Sequence, residues 1–460
     1  MFSEEMFLNR VMLDNPWWQT GDISNDYRSV TPRLFLDSFY KYLSMDGLRR
    51  AVLLMGPRRV GKTWLLQHAI GRLLSEKVSP RHVIFLPIDV PVYHGCGLEE
   101  LVYAASRVSG VNPKTEKMFV FFDEIQYKKD WEVSLKTLTD SYPNIKFVAS
   151  GSAASVLAKG ARESGAGRFT DLKLSPLSFY EYLNMKGEDE RIFESMESTN
   201  RLFLDYVNFG GYPELVSNIA VRDNPRQFIQ RDIVDKVLLR DLPSLYHIDD
   251  VRDLQAFFSY IAFHSGTVQS YEGLSQGVGL SKHVVSNLLQ YLEDAFLITR
   301  LNRVDINALS LKRATQFKIY LTNPSLRAAM FQEVRSVDDQ YFGSVIETAV
   351  AAQFGIGEDM GQLRYANWRV GKQQGEVDFV KIDPGLQRPV SALEVKWSDG
   401  PFDHPAELKE AVAFAKMNNL TRLMVTSRSQ KGTKLVDDVE LKFIPTACFA
   451  YDTGKAQLVK

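Results

Sequence analysis

Gly56-Pro57-Arg58-Arg59-Val60-Gly61-Lys62-Thr63 sets two glycines, a lysine and a hydroxyl residue at the spacing of a loop that wraps phosphate. The glycines let the backbone turn so that successive N–H groups face phosphate oxygens. Lys62 neutralises the outer phosphates, and the Thr63 hydroxyl ligates magnesium. The spacing therefore points to a nucleotide. Asp123 and Glu124 follow the apolar run Met118-Phe119-Val120-Phe121-Phe122, which delivers two carboxylates at the tip of a buried strand. Asp123 is expected to hold magnesium through its water shell, and Glu124 to orient and deprotonate an attacking water. Ser150 and Ser152 end a third apolar run, Ile145 to Ala149, as comparable candidates for contact with the γ-phosphate or that water; a plain turn is the alternative. Arg162 and Arg168 sit in the glycine-rich stretch from Gly160 to Phe169. From there an arginine would reach a neighbouring subunit's γ-phosphate, unless it is an ordinary surface arginine.

A second constellation lies in the last third of the chain. Gly375-Glu376-Val377-Asp378-Phe379-Val380 and Val390-Ser391-Ala392-Leu393-Glu394-Val395-Lys396 read as adjacent strands around a turn at Asp383-Pro384-Gly385. Residues two apart share a strand face, so Glu394 and Lys396 line up, with Asp378 beside them. Two carboxylates bind a divalent ion, and a lysine activates water for attack on phosphate. Glu347, in a helical stretch with Val345, Ile346 and Val350, is a further ligand candidate.

These groups need elements to hold them. Ala51 to Met55 reads as a buried strand, and Trp64 to Leu73 as a helix with Leu65, Leu66, Ala69 and Ile70 on one side. His82 to Val90 is another strand, and Leu34 to Leu43 an amphipathic helix. Ser178-Phe179-Tyr180-Glu181 is a capping box, which makes Ser178 a helix cap rather than a catalyst. From Val251 to Val304 the pattern is a small helical unit. Its third helix, capped by Ser281, has the stripe Val285, Leu288, Leu289 and Leu292, with Lys282, His283 and Asn287 outward. That stretch holds four basic residues (Arg252, Lys282, Arg300, Arg303) and four acidic ones (Asp253, Glu272, Glu293, Asp294), so protein packing is favoured over DNA reading. The expected division is a lead-in over 1–48, a nucleotide-binding core over 49–175, a helical lid over 176–250, the helical unit over 251–304 and a last domain over 305–460.

A net charge of −1 gives no global attraction to nucleic acid or membrane. No apolar run reaches spanning length and no signal pattern opens the chain, so a cytoplasmic protein is expected. Cys96 and Cys448 lie far apart, and the seven histidines form no metal-ligand cluster.

Together the landmarks resemble a family of prokaryotic AAA-type P-loop ATPases with a C-terminal part of unknown function, a winged-helix unit and a restriction-endonuclease-like PD-(D/E)XK region. They are Gly56 to Thr63, Phe119 to Glu124, Ser150-Gly151-Ser152, Ala166-Gly167-Arg168, Leu174 to Phe179, Gly210-Gly211-Tyr212-Pro213, Gly375 to Val380 and Glu394-Val395-Lys396. The resemblance implies an α/β fold, ATP and Mg2+ at the first two landmarks, and Arg168 as the finger. Asn323 stands where an aspartate is expected, which touches only a minor contact. The leading expectation is an ATPase coupled to a nuclease-like domain that acts on DNA, as a homo-oligomer or with a protein partner. The alternative is a signalling ATPase whose last domain only binds protein or nucleic acid. A small-molecule kinase is disfavoured, because Asp123-Glu124 provides a base for water.

Overall fold

The computed structural model describes residues 4–45, 47, 49–152, 167–189, 194–248, 250–304, 316–335, 341–355, 358–370 and 373–458. Arg162 lies outside them, as does the side chain of Ser152. Contacts divide the chain into two units, with the break after Leu174.

In the first unit, β1 (Ala51–Gly56), β2 (Val83–Pro87), β3 (Met118–Asp123), β4 (Ile145–Ser152) and β5 (Phe169–Lys173) form a sheet in the order β2-β3-β4-β1-β5, every pairing parallel. Helices cover both faces of such a sheet, which is why β1 and β3 are apolar runs buried at every position. The helix after the phosphate-type loop, α3 (Lys62–Ser75), buries Leu65, Leu66, Ala69 and Ile70 as its periodicity predicts. Before it come α1 (Glu4–Asp14) and α2 (Leu36–Ser44), which buries Phe39, Tyr40 and Leu43, and after it α4 (Leu98–Ser109) and α5 (Trp131–Ser141). The lead-in is tied to the sheet by named bonds. The Asn15 amide accepts from Phe85 N–H at 2.6 Å and donates to Phe85 carbonyl at 3.0 Å, and both Trp17 and Trp18 indoles donate to Val83 carbonyl. These residues satisfy the outer edge of β2.

In the second unit, β6 (Val268–Ser270), β7 (Ile298–Asn302) and β8 (Gln316–Leu321) form an antiparallel sheet with β8 in the middle. With α8 (Val251–Phe263), α9 (Tyr271–Val278) and α10 (Lys282–Asp294) it makes one small body. Ser270 and Ser281 cap α9 and α10, and Val285, Leu288, Leu289 and Leu292 are buried. The body extends past the expected boundary at 304, because β8 pairs with β7 across a connection that includes residues outside the described set.

The remaining strands are β9 (Leu363–Val370), β10 (Gln373–Ile382), β11 (Pro389–Glu394), β12 (Arg422–Ser427), β13 (Gly432–Val436) and β14 (Val439–Pro445). They build a mixed sheet in the order β13-β14-β12-β11-β10-β9. The Asp383 carboxylate accepts from Gly385 and Leu386 N–H in the turn between β10 and β11, as the Asp-Pro-Gly pattern requires. Alternation sends Val380 and Leu423 to one face, with Phe414 of α12 (Lys409–Met417). Phe379 and Leu393 go to the other, with Ile346 and Val350 of α11 (Phe342–Gln353) and Ala450 of α13 (Thr446–Leu458).

Two expectations need correction. The stretch read as a separate lid begins with α6 (Phe179–Lys186) and α7 (Met196–Phe209), whose Phe179, Phe203 and Tyr206 lie in the same hydrophobic core as Ile346, Phe379 and Ala450. Those helices belong with the last domain, because their apolar faces help build its core. Asn323 is no minor contact either. It is fully buried, its oxygen accepts from Ser325 N–H at 2.9 Å, and its NH2 reaches the Tyr206 hydroxyl at 3.4 Å. That hydroxyl donates to Leu177 carbonyl and accepts from Gln353, whose amide oxygen accepts from Phe179 N–H at 2.8 Å.

Gly211 closes the knot, since a Cβ there would lie 2.4 Å from the Asn323 side chain. Gly211→Ala is expected to cost about 1–3 kcal/mol through overpacking, read as a lower urea midpoint. In the Asn323→Ala background, where the struck atoms are gone, the added cost should be smaller.

Candidate functional site

The first site forms where β1, β3 and β4 end side by side. After β1 the chain turns through Arg59 at φ 65° and Gly61 at φ 91°, left-handed values that suit Gly61, and then enters α3 at Lys62. Gly56 is required for a different reason. A Cβ on it would stand 2.4 Å from the carbonyl oxygen of Leu174, where the chain leaving β5 crosses the end of β1.

Asp123 is the centre of the polar groups. Its carboxylate accepts from the Thr63 hydroxyl at 2.7 Å on one oxygen and from the Ser150 hydroxyl on the other. Burial, then the neighbouring charge of Glu124, pushes its pKa up to about 6, against the pull of those hydroxyls and Lys62. Ser150 also accepts from Glu124 N–H at 3.2 Å, which ties the two acidic residues to β4. Of the two serines, Ser150 is thus built into the site. Glu124 adopts a left-handed backbone, φ 53° and ψ 48°, which turns it out of the strand line; its carboxylate accepts from Gln126. The buried Lys62 ammonium rests on the carbonyls of Gly56 and Pro57, at 3.1 and 2.9 Å. Phosphate oxygens would compete for it there. Thr63 and Asp123, a hydroxyl and a carboxylate in direct contact beside the loop, suit a magnesium ion held jointly with nucleotide phosphates.

The lead-in contributes residues that sequence reasoning missed. Buried Arg33 donates to Val60 carbonyl at 2.7 Å and so braces the loop itself. Tyr27 meets Trp64 edge to face at 5.5 Å, and its carbonyl accepts from His68 at 2.8 Å. The signal is weak: Arg33 stands just ahead of the Leu34 to Leu43 helical pattern, where Asp37 four residues on makes it read as an ordinary surface ion pair.

Arg168 stands apart. Its carbonyl accepts from Ala51 N–H, at the start of β1, and its guanidinium pairs with Asp140 at 2.5 Å. The phosphate-type loop is at the other end of β1, about 16 Å away at strand rise. Arg168 therefore cannot serve its own chain's loop, and any role on a phosphate belongs to a second copy.

In the second unit the expected quartet does converge. Lys396 donates to Glu394 at 2.8 Å, and Val395 N–H to Asp378 at 2.9 Å. Glu347 enters from α11. A residue that was not anticipated stands among them: Lys318 of β8, its side chain 2% exposed, lies 2.8 Å from Glu347, 2.6 Å from Glu376 and 3.2 Å from Asp378. Tyr320 donates to the same Glu347 oxygen. Although burial opposes its charge, the Lys318 pKa is held well above the ordinary lysine range by Glu347, Tyr320, Asp378 and Glu376. Burial and then Asp378 raise both Glu347 and Glu394, and Glu394 Oε2 is buried with no hydrogen-bond partner. The expectation of Glu347, Asp378 and Glu394 as metal ligands does not fit this arrangement. Among the described residues no group of three or more His, Cys, Asp or Glu is disposed to hold a metal, and an ammonium already stands on Glu347 and Asp378.

Residues 48–183 match the AAA domain family, and 200–337 match a domain of unknown function, DUF8612. The first match spans the sheet, loop and acidic pair just described, so this part of the chain is an AAA-type P-loop ATPase domain. Relatives along most of the chain include an uncharacterized protein of Haemophilus influenzae, 23% identical over 89% of this chain and 96% of its own length. Another is an uncharacterized protein of Methanocaldococcus jannaschii, 25% identical over 76% of each. Superposition on solved structures is loose. The ORC1 protein of Aeropyrum pernix in complex with DNA gives a TM-score of 0.31 at 15% identity, covering 66% of this chain and 94% of that one. A RuvB variant of Thermotoga maritima gives 0.28 at 16%, covering 60% and 90%.

Since Arg33 holds the loop through a carbonyl, Arg33→Met should weaken nucleotide binding by about tenfold, the worth of one charge-assisted bond. Titration with a fluorescent ATP analogue measures it, and unchanged affinity would show that the brace is idle.

Proposed function

We propose that the protein is an ATP-hydrolysing switch in which the P-loop domain reads and spends ATP and the C-terminal domain is the effector. The observation that carries this reading is the buried Asp123 carboxylate joining Thr63 of the loop to Ser150 of β4, with Glu124 tied to the same serine. Gly56, Pro57, Arg58, Arg59, Val60 and Gly61 supply the backbone around the phosphates, and Lys62 offsets their charge. Magnesium, held by Thr63 and Asp123, would neutralise the β- and γ-phosphate oxygens. Glu124, aimed away from the strand, takes a proton from water as general base. Ser152 is retained as a further contact. Arg168 acts in a neighbouring copy, which makes the active form an oligomer. No helix among the described residues is long and apolar enough to cross a membrane, and a cytoplasmic setting is part of the proposal.

A second reading, DNA cleavage by the C-terminal domain, is favoured by Asp378, Glu394 and Lys396 lying together on β10 and at the end of β11, as in PD-(D/E)XK nucleases. This reading takes the three helices with sheet β6-β8-β7 as a winged-helix unit. Against DNA reading, Lys282 at the start of α10 is paired with Glu272, which cancels positive charge that phosphate would need. Asp378 and Lys396 serve this reading only with Lys318 out of the cluster.

Lys62→Ala should abolish ATP binding. Glu124→Gln should keep binding and lower phosphate release by about 10²–10⁴-fold. Wild-type turnover in Glu124→Gln would remove this residue as the base. Incubation of wild type with plasmid and single-stranded DNA, with magnesium or manganese and with or without ATP, separates the readings. Cleavage lost in both Asp378→Ala and Lys396→Ala, with ATP hydrolysis retained, would establish the second.

A further inference from the structure

The nuclease-like cluster poses a question that the ATP site does not: what balances its charge. Glu347, Glu376, Asp378 and Glu394 bring four carboxyl groups together, three of them buried or nearly so. An ammonium has three N–H donors. Lys318 Nζ has three carboxylate oxygens around it, at 2.8, 2.6 and 3.2 Å, so each donor has an acceptor. Asp378, central to any metal pair here, has both oxygens engaged, one by Lys318 and one by Val395 N–H.

We propose that this cluster carries its cation within the chain: the Lys318 ammonium stands where a divalent ion would, and the cluster takes no divalent metal while β8 is docked. An ion on the same Glu347 oxygen, at about 2.1 Å, would lie within about 5 Å of Nζ. Two cations that close in a buried site repel strongly. The lysine is not a local feature of the six-stranded sheet. It is delivered by β8, the middle strand of the other sheet, in register between Val268 and Leu301. Access of metal to Asp378 and Glu347 is therefore set by the docking of that small body. This inference does not depend on the ATPase reading, since it concerns only residues of the second unit.

The test is manganese binding by nucleotide-free, full-length protein, read by paramagnetic resonance of free Mn2+ and by the thermal midpoint. Wild type should bind no Mn2+ that Asp378→Asn or Glu347→Gln removes, and its midpoint should not respond to the ion. Lys318→Met, similar in length and neutral, should gain about one equivalent at least tenfold tighter than wild type. That gain should vanish when Asp378→Asn is added, and Mn2+ should raise the variant's midpoint. A wild-type site sensitive to Asp378→Asn or to Glu347→Gln would overturn the proposal, as would a folded Lys318→Met that gains none. If Lys318→Met does not fold, the wild-type comparison still decides, and Lys318→Gln repeats the gain-of-site arm.

Discussion

A buried ammonium organises the second unit. Lys318 belongs by sequence and pairing to the sheet β6-β8-β7, yet its head group is held by Glu347 of α11 and by Glu376 and Asp378 of β10. Losing one partner of a buried charged cluster typically costs about 3–5 kcal/mol, because the remaining charge has nowhere to go. The small body and the six-stranded domain are thereby bound by more than apolar contact. The shared hydrophobic core and the Tyr206–Gln353–Asn323 knot reinforce the same join from neutral groups.

The ATPase domain solves the problem of a buried charge in the opposite way. Among the described residues Asp123 is met at contact distance by two hydroxyls, and burial and the charge of Glu124 raise its proton affinity. A site left short of positive charge is one that gains from a cation arriving with its ligand. In the C-terminal cluster the cation is already present. The two carboxylate sites thus differ in chemistry although their residue types look alike.

What was legible in the sequence follows from range. The phosphate-type loop, its strand and its helix are encoded within a few residues of one another, and their period and glycines read directly. The capping box at Ser178, the stripe through Val285 and Leu292, and the Asp383 turn are equally local. The contact of Glu394 with Lys396 was expected from a strand running through both; the strand ends at Glu394, and the two side chains meet just past its end. Lys318 was not, since its partners lie tens of residues away in other elements. The clue was present all the same: in Phe317-Lys318-Ile319-Tyr320-Leu321 the lysine is the one charged residue of an otherwise apolar and aromatic run, and once all five are buried it has to find carboxylates. Arg33 escaped notice likewise, because its partner is a backbone carbonyl, which no side-chain pattern announces.

The bonds from Asn15, Trp17 and Trp18 to β2 have a meaning beyond anchoring the lead-in. β2 is the outermost strand on its side of a parallel, strongly apolar sheet. An outer strand of that kind offers its open N–H and C=O groups to any extended segment that meets it, including the same strand of another molecule. Side chains that consume the groups of Val83 and Phe85 leave an incoming strand without its ladder. The aromatic lead-in is thus a guard against uncontrolled self-association, which matters for a chain whose ordered assembly would have to proceed through other surfaces.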